Sequence, residues 1–285
     1  MRHYILLSCT LLLCLPIILP AQEVFDVSYQ LKKGDVLYFN ETVNTTTSQE
    51  RNGEEVKMPM TTRTKTKWLV EDVSADGTIT IVSSPEDIRM EAPGGGEGPR
   101  MGRGPGGLDG DMIKSMIGKR TRIVMNANGE ITGSVALDPL PERRGPISAQ
   151  RGPHAVLPVR PVGIGDTWKY AGRDSVNVAF TRALSKYDLI LTAASKETHN
   201  NRECLKITYG GKVTLSGQGK SRGGNMSVEG SGSVTGSAWF DLAKGLVVEE
   251  ETTTEQNLVM SITGEREFTM PMAQTSTTTR VLADK

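Results

Sequence analysis

Apolar and polar residues alternate with a period of two along most of this chain, the pattern of strands with one buried and one wet face. Phe25, Val27, Tyr29 and Leu31 alternate with Asp26, Ser28 and Gln30. Leu37 and Phe39 share a face, and so do Ile79 and Ile81, Leu189, Leu191 and Ala193, and Leu205, Ile207 and Tyr209. Leu258, Met260 and Ile262 form a further strand, and the last runs from about Phe268 to Leu282. Threonines at 45–47, 61–66, 252–254 and 275–279 keep the backbone extended while facing water, so they read as exposed sheet. The pattern predicts an all-β chain.

Turn signals punctuate these runs. Asp76-Gly77 suits a type I′ hairpin turn, and His199-Asn200-Asn201 separates two more strands. One helix is expected, from Asp109 to Gly118, where an acidic residue caps the start, Met112, Ile113, Met116 and Ile117 form a stripe, and Gly118 ends it. Three segments read as breaks: a Gly/Pro-rich insertion at 92–110, a Pro/Arg-rich connector at 142–161, and the glycine-rich run from Gly217 to Gly232.

The layout occurs twice. Gly34-Asp35 opens one half and Gly165-Asp166 the other, each leading into a strand, with Leu37 and Phe39 matched by Trp168 and Tyr170. Later in each half a strand turns at a glycine and returns, at Gly129 and at Gly245, which sets Val124 against Phe240 and Ile131 against Val247. We expect a first β half over 22–141 and a second over 162–285. Neither half evidently closes its own sheet edges, and open edges invite aggregation. The expected architecture is one large antiparallel curved sheet, a half-barrel or a sandwich; two weakly touching lobes are the alternative.

Residues 1–21 read as a signal peptide. A basic start precedes an apolar run from Ile5 to Leu19 that is too short and proline-broken to span a bilayer, and small Ala21 sits at the cleavage position. Leu13-Cys14 lacks the small residue a lipoprotein anchor needs, and Ser8-Cys9 leaves too short an apolar core, which favours periplasmic or secreted export over a lipid anchor. No later stretch is apolar enough for a transmembrane helix. Cleavage leaves Cys204 as the only cysteine, so stability rests on a core rather than on disulfides. It also leaves 32 basic residues (33 less Arg2) against 33 acidic ones, a balance that gives nucleic acid no bulk attraction.

Reaction chemistry is sparse. His154 and His199 stand apart from any second His or Cys at ligand spacing, so no metal and no cofactor is expected. Asp109-Gly110-Asp111 and the Asn126–Glu130 turn lack the closing Glu of a calcium loop. Gly230-Ser231-Gly232 lacks the strand–elbow–helix context of a catalytic serine, and the glycine runs follow no phosphate cradle. Glu249-Glu250-Glu251 reads as a wet face with one inward misfit. The chain is not expected to be an enzyme.

Methionine carries the functional expectation. Met58-Pro59-Met60 and Met270-Pro271-Met272 each put two thioethers on one strand face, and the intervening proline, having no N–H, belongs at an edge or bulge. Adaptable thioethers at a sheet rim suit an apolar groove, with Met112 and Met116 as a lid and Trp168, Tyr170 and Trp239 as its aromatic wall. Filling gaps in an ordinary core is the competing role for the same residues.

The Gly34-Asp35 and Gly165-Asp166 openings, with Phe240-Asp241 and Gly245-Leu246-Val247, resemble a family of exported bacterial β-rich proteins of unknown function. The strand through Phe240-Asp241 that turns at Gly245 is more distantly similar to periplasmic lipoprotein carriers of the LolA type. That similarity implies an open half-barrel whose apolar concave face holds a lipid or lipoprotein tail. The alternative expectation is a structural or protein-interaction module of the cell envelope.

Overall fold

The structure, a computed structural model, describes residues 23–51, 53–92, 110–139, 154–178, 181–221, 224–264 and 267–283. Residues 1–22, where the signal peptide is expected, the Gly/Pro-rich run 93–109 and residues 140–153, which include the start of the connector, lie outside the described residues. Thirteen strands and one helix follow one another among the described residues: β1 (Val24–Phe25), β2 (Val36–Arg51), β3 (Glu54–Val73), β4 (Ile79–Glu91), α1 (Gly110–Met116), β5 (Thr121–Met125), β6 (Ile131–Ala136), β7 (Val162–Gly163), β8 (Thr167–Val178), β9 (Thr181–His199), β10 (Arg202–Ser221), β11 (Gly224–Asp241), β12 (Leu246–Gly264) and β13 (Phe268–Leu282).

Eleven of these strands make one antiparallel sheet in the order β6-β5-β4-β3-β2-β13-β12-β11-β10-β9-β8, and β1 pairs with β7 separately. The sheet is not closed into a barrel, so β6 and β8 are its edges. The fold is all-β, as the alternation predicts. β2–β6 and β8–β12 are two five-strand meanders, and β13 lies between them, pairing with β12 on one side and β2 on the other. That shared strand makes one continuous sheet where two lobes were the alternative.

The two Gly-Asp turns make the same bonds. Gly34 N–H donates to Val70 O at 2.9 Å and Val70 N–H donates back to Asp35 O at 2.9 Å; Gly165 and Asp166 do the same with Ala193, at 2.7 and 3.0 Å. Each Asp carboxylate also accepts the N–H three residues earlier, from Lys32 at 2.7 Å and Gly163 at 3.0 Å. Both glycines sit in the left-handed region, at φ +92° and +90°, which explains glycine at that step.

The two glycine hairpins meet on a shared strap. Of the alternating run from Phe25 to Leu31 only Phe25, in β1, is strand; the rest crosses the sheet as an irregular segment. Tyr29 N–H donates to Ala127 O beside Gly129 at 2.7 Å, and Gln30 N–H donates to Gly245 O at 2.8 Å. Phe25 and Val27 enter one core cluster, with Leu189, Leu191, Leu205, Ile207 and Phe240, while Leu31 enters a second, with Phe39, Trp68, Val70, Ile79 and Ile81. Tyr29 packs against both. Each fully buried Leu or Ile contributes roughly 1.5–3 kcal/mol, so the strap is core rather than tail.

Three local expectations are corrected. Asp76-Gly77 is not a type I′ turn: of the pair only Gly77 has positive φ, and the hairpin closes from Ser74 to Thr78 with the Asp76 carboxylate accepting from both. The glycine run's described residues, 217–221 and 224–232, are not a break but ladder residues of β10 and β11, where glycines let strands and side chains approach closely. A Cβ on Gly232 would lie 1.8 Å from Glu255 O, and one on Gly230 would lie 2.3 Å from the Leu258 side chain. The connector's end is not a spacer: Ala155, Val156 and Leu157 are buried.

Candidate binding face

Paired residues in neighbouring strands point to the same side of a sheet, so the ladder register shows which side chains share a face. One row runs Trp168, Leu191, Tyr209, Gly236, Thr252, Thr278, Val43, Thr62. Two residues along, the row is Tyr170, Leu189, Gly211, Val234, Thr254, Ser276, Thr45, Met60. The next carries Tyr187, Val213, Gln256, Gln274, Thr47 and Met58. Beyond it lie Leu215, Leu258 and Met272, then Val228, Met260 and Met270. Met58, Met60, Met270, Met272, Trp168 and Tyr170 therefore share one face, here called the inner face.

Trp239 does not belong with them. It lies one residue from inward Ala238 and points to the outer face, where His199 stacks on its ring (centroids 4.3 Å apart) and Lys206 Nζ lies 5.1 Å from it. Its indole N–H donates to Glu197 at 2.8 Å, and that bond holds the Glu197 carboxyl below its ordinary range. His199 Nε2 and Asn200 Nδ2 both bond Glu249, at 2.8 and 2.9 Å. This outer cluster ties two hairpin ends together. α1 ends at Met116, and the turn that follows closes at Gly118 (φ +76°), whose N–H donates to Pro85 O of β4. The Met112 side chain lies outside the described residues, and half-buried Met116 is held near β4.

Both prolines stand at local edges. Pro59 pairs with Thr46 of β2, but β3 meets β4 only from Thr61 onward. Pro271 pairs with Val259 of β12, but β13 meets β2 only from Ala273 onward. Each proline thus sits where its strand has a ladder neighbour on one side only.

Covering is uneven. At the aromatic end the chain covers its own face: Trp168 Nε1 donates to Val156 O at 2.8 Å, and Leu157 N–H donates to Asn128 O at 2.8 Å. Toward the strand tips the face changes to hydroxyl and amide rows and then to methionine. Met60, Met270 and Met272 are half-buried there, and Met58 is 41% exposed. Gln49 Nε2 donates to the Met58 sulfur at 3.7 Å.

Between the two ends lies a polar group that the alternation only hinted at. Glu250 is the inward member of Glu249–Glu251, 8% exposed. Its Oε1 accepts the Ala155 N–H at 2.6 Å and the Tyr209 hydroxyl at 2.9 Å. Since that hydroxyl gives its only hydrogen to Glu250, Thr252 donates to Tyr209 across 2.6 Å. Burial, then the Glu250 charge, raises the Tyr209 hydroxyl well above the ordinary phenol range. Arg280, paired with Glu250 across the ladder, lies over the Phe39 and Trp68 rings at 4.3 and 4.8 Å. Tyr187 donates to Asp174 at 3.0 Å and its hydroxyl is likewise raised, first by burial. Cys204 is buried, and burial pushes its thiol up to about 11. Among the described residues no three His, Cys, Asp or Glu side chains gather as a metal site, and no helix is long and apolar enough to cross a membrane.

No family model matches the chain, and no curated protein does. Among solved structures, an outer membrane channel of the COG4313 group from Pseudomonas putida F1 aligns over 90% of this chain and 98% of its own, at 10% identity and a TM-score of 0.26. Pseudomonas putida OprB aligns over 87% and 94%, at 8% identity and 0.24. A DUF3598 protein of unknown function from Nostoc punctiforme PCC 73102 aligns over 85% and 95%, at 10% identity and 0.10. Scores of this size reflect shared β content, and the functional argument rests on this chain's own geometry.

Proposed function

We propose that this chain is an exported, non-enzymatic binding protein that holds a lipid or other hydrophobe on the methionine end of its inner face. One observation carries the reading: Met58, Met60, Met270 and Met272 share a face with Trp168 and Tyr170, and beside a buried cluster of Leu215, Val228 and Leu258 the Met58 side chain stays exposed and Met60, Met260 and Met270 only half-buried. Met58, Met60, Met260 and Met270 supply apolar, adaptable contact, and the rows of Thr45, Ser276, Thr254, Thr47, Gln274 and Gln256 supply hydrogen-bonding groups next to it. An amphiphile fits that succession better than a pure hydrocarbon. The motif resemblance to LolA-type carriers points the same way.

The test is uptake of a fluorescent fatty-acyl probe by the mature protein. The reading expects saturable uptake that falls when Met60 and Met272 become Gln. Uptake indifferent to both substitutions, or none at all, contradicts it. Interaction with another envelope protein is the second reading, favoured by β6 and β8, the edges of the sheet among the described residues.

A further inference from the structure

The two meanders correspond strand for strand, β2 to β8 and β6 to β12, because the same Gly-Asp turn precedes β2 and β8 and a strand–glycine turn precedes β6 and β12. One difference remains. β13 fills the space between β12 and β2, whereas no described strand joins β6 to β8. Every neighbouring pair in the sheet is antiparallel, so with eleven strands the edge strands β6 and β8 run in the same direction. They cannot close on each other as an antiparallel pair, but one strand running opposite to both completes the pattern. Their starting ends are near: consecutive residues Val156 and Leu157 bond Trp168 of β8 and Asn128 before β6. Edges flanking a single strand stand about 10 Å apart, twice the strand spacing.

We propose that β8 and β6 form an acceptor site for an extended segment of another protein, a strand of the β13 type that would complete the sheet. The correspondence also fixes the chemistry of the incoming strand. Phe39 matches Tyr170 and Val43 matches Asp174. On the β2 side, Arg280 of β13 rests on Phe39 and Trp68. On the β8 side the rings come from a different register: Leu191 stands where Trp68 does and Gly172 where Glu41 does, and Tyr170 pairs instead with Tyr187, 6.1 Å away, whose hydroxyl donates to Asp174. The incoming strand therefore presents a cation inward. It presents hydroxyl or acidic residues outward, where exposed Lys169 and Arg173 flank the edge and Lys186 lies directly across from Arg173. The same cations argue against a second copy pairing through β8, since a two-fold pairing centred on Ala171 sets Lys169 against Arg173.

The probe is a labelled peptide of residues 272–283 added to the intact mature protein, read by fluorescence anisotropy and by hydrogen exchange. The expected result is 1:1 binding with slowed exchange in both β8 and β6, at least tenfold weaker when the peptide carries Arg280→Glu. Absence of binding, protection confined to β2 and β12, equal binding of the Arg280→Glu peptide, or dimerisation of the protein alone through β8 would each overturn the proposal.

Discussion

The Glu250 carboxylate, midway across the inner face, accepts the backbone N–H of Ala155 at 2.6 Å and so fastens the connector to the sheet. The same oxygen takes the Tyr209 hydroxyl, so one side chain holds the segment that covers the aromatic end of the face. Substituting Glu250 by Ala leaves two buried donors without an acceptor and costs about 3 kcal/mol. Glu250→Gln keeps a carbonyl oxygen and costs about 1–2 kcal/mol. Denaturant unfolding of the two variants checks the order, and hydrogen exchange at Leu157 should quicken in both.

The strap is clamped at two glycines. A Cβ at Gly129 (φ +85°) meets the Tyr29 ring at 2.7 Å, and one at Gly245 (φ +63°) meets Gln30 at 2.5 Å. Gly34 has φ +92° and open space around it. Alanine at Gly34 costs only backbone strain, about 1–2 kcal/mol. Alanine at Gly129 or Gly245 adds a clash and costs about 1 kcal/mol more. Equal losses at all three sites in thermal melts would count against the clamp.

Cys204, the one cysteine among the described residues, tests its own buried placement. With its thiol pushed up to about 11 and fully buried, it stays protonated across neutral pH and inaccessible to reagent. Iodoacetamide at pH 8 is expected to leave the native protein unmodified and to label it fully in denaturant. Rapid native labelling would contradict this placement.

Much of this was legible in sequence because a period-two pattern records one-sided burial directly. The Gly-Asp turns, the inward member of Glu249–Glu251 and the edge positions of Pro59 and Pro271 all follow from local rules. What was hidden depends on contacts between segments distant in the chain. Tyr29 alternates like a strand residue yet belongs to a strap, because one hairpin accepts its N–H at Ala127 O and a second accepts that of its neighbour Gln30 at Gly245 O. Gly217–Gly232 resembles a linker in composition, but close strand packing, not flexibility, selects those glycines. Trp239 sits beside Phe240 in sequence and on the opposite side of the sheet, which only the ladder register decides. Arg280 carried a weak signal: it is a lone cation at an inward position of the last strand.

Native mass spectrometry of the mature protein, before and after organic extraction, tests the central claim most directly. The account predicts adducts of lipid mass that extraction removes and that Met60→Gln with Met272→Gln weakens. A clean unliganded mass in both samples, with no uptake when an acyl lipid is added back, would contradict it.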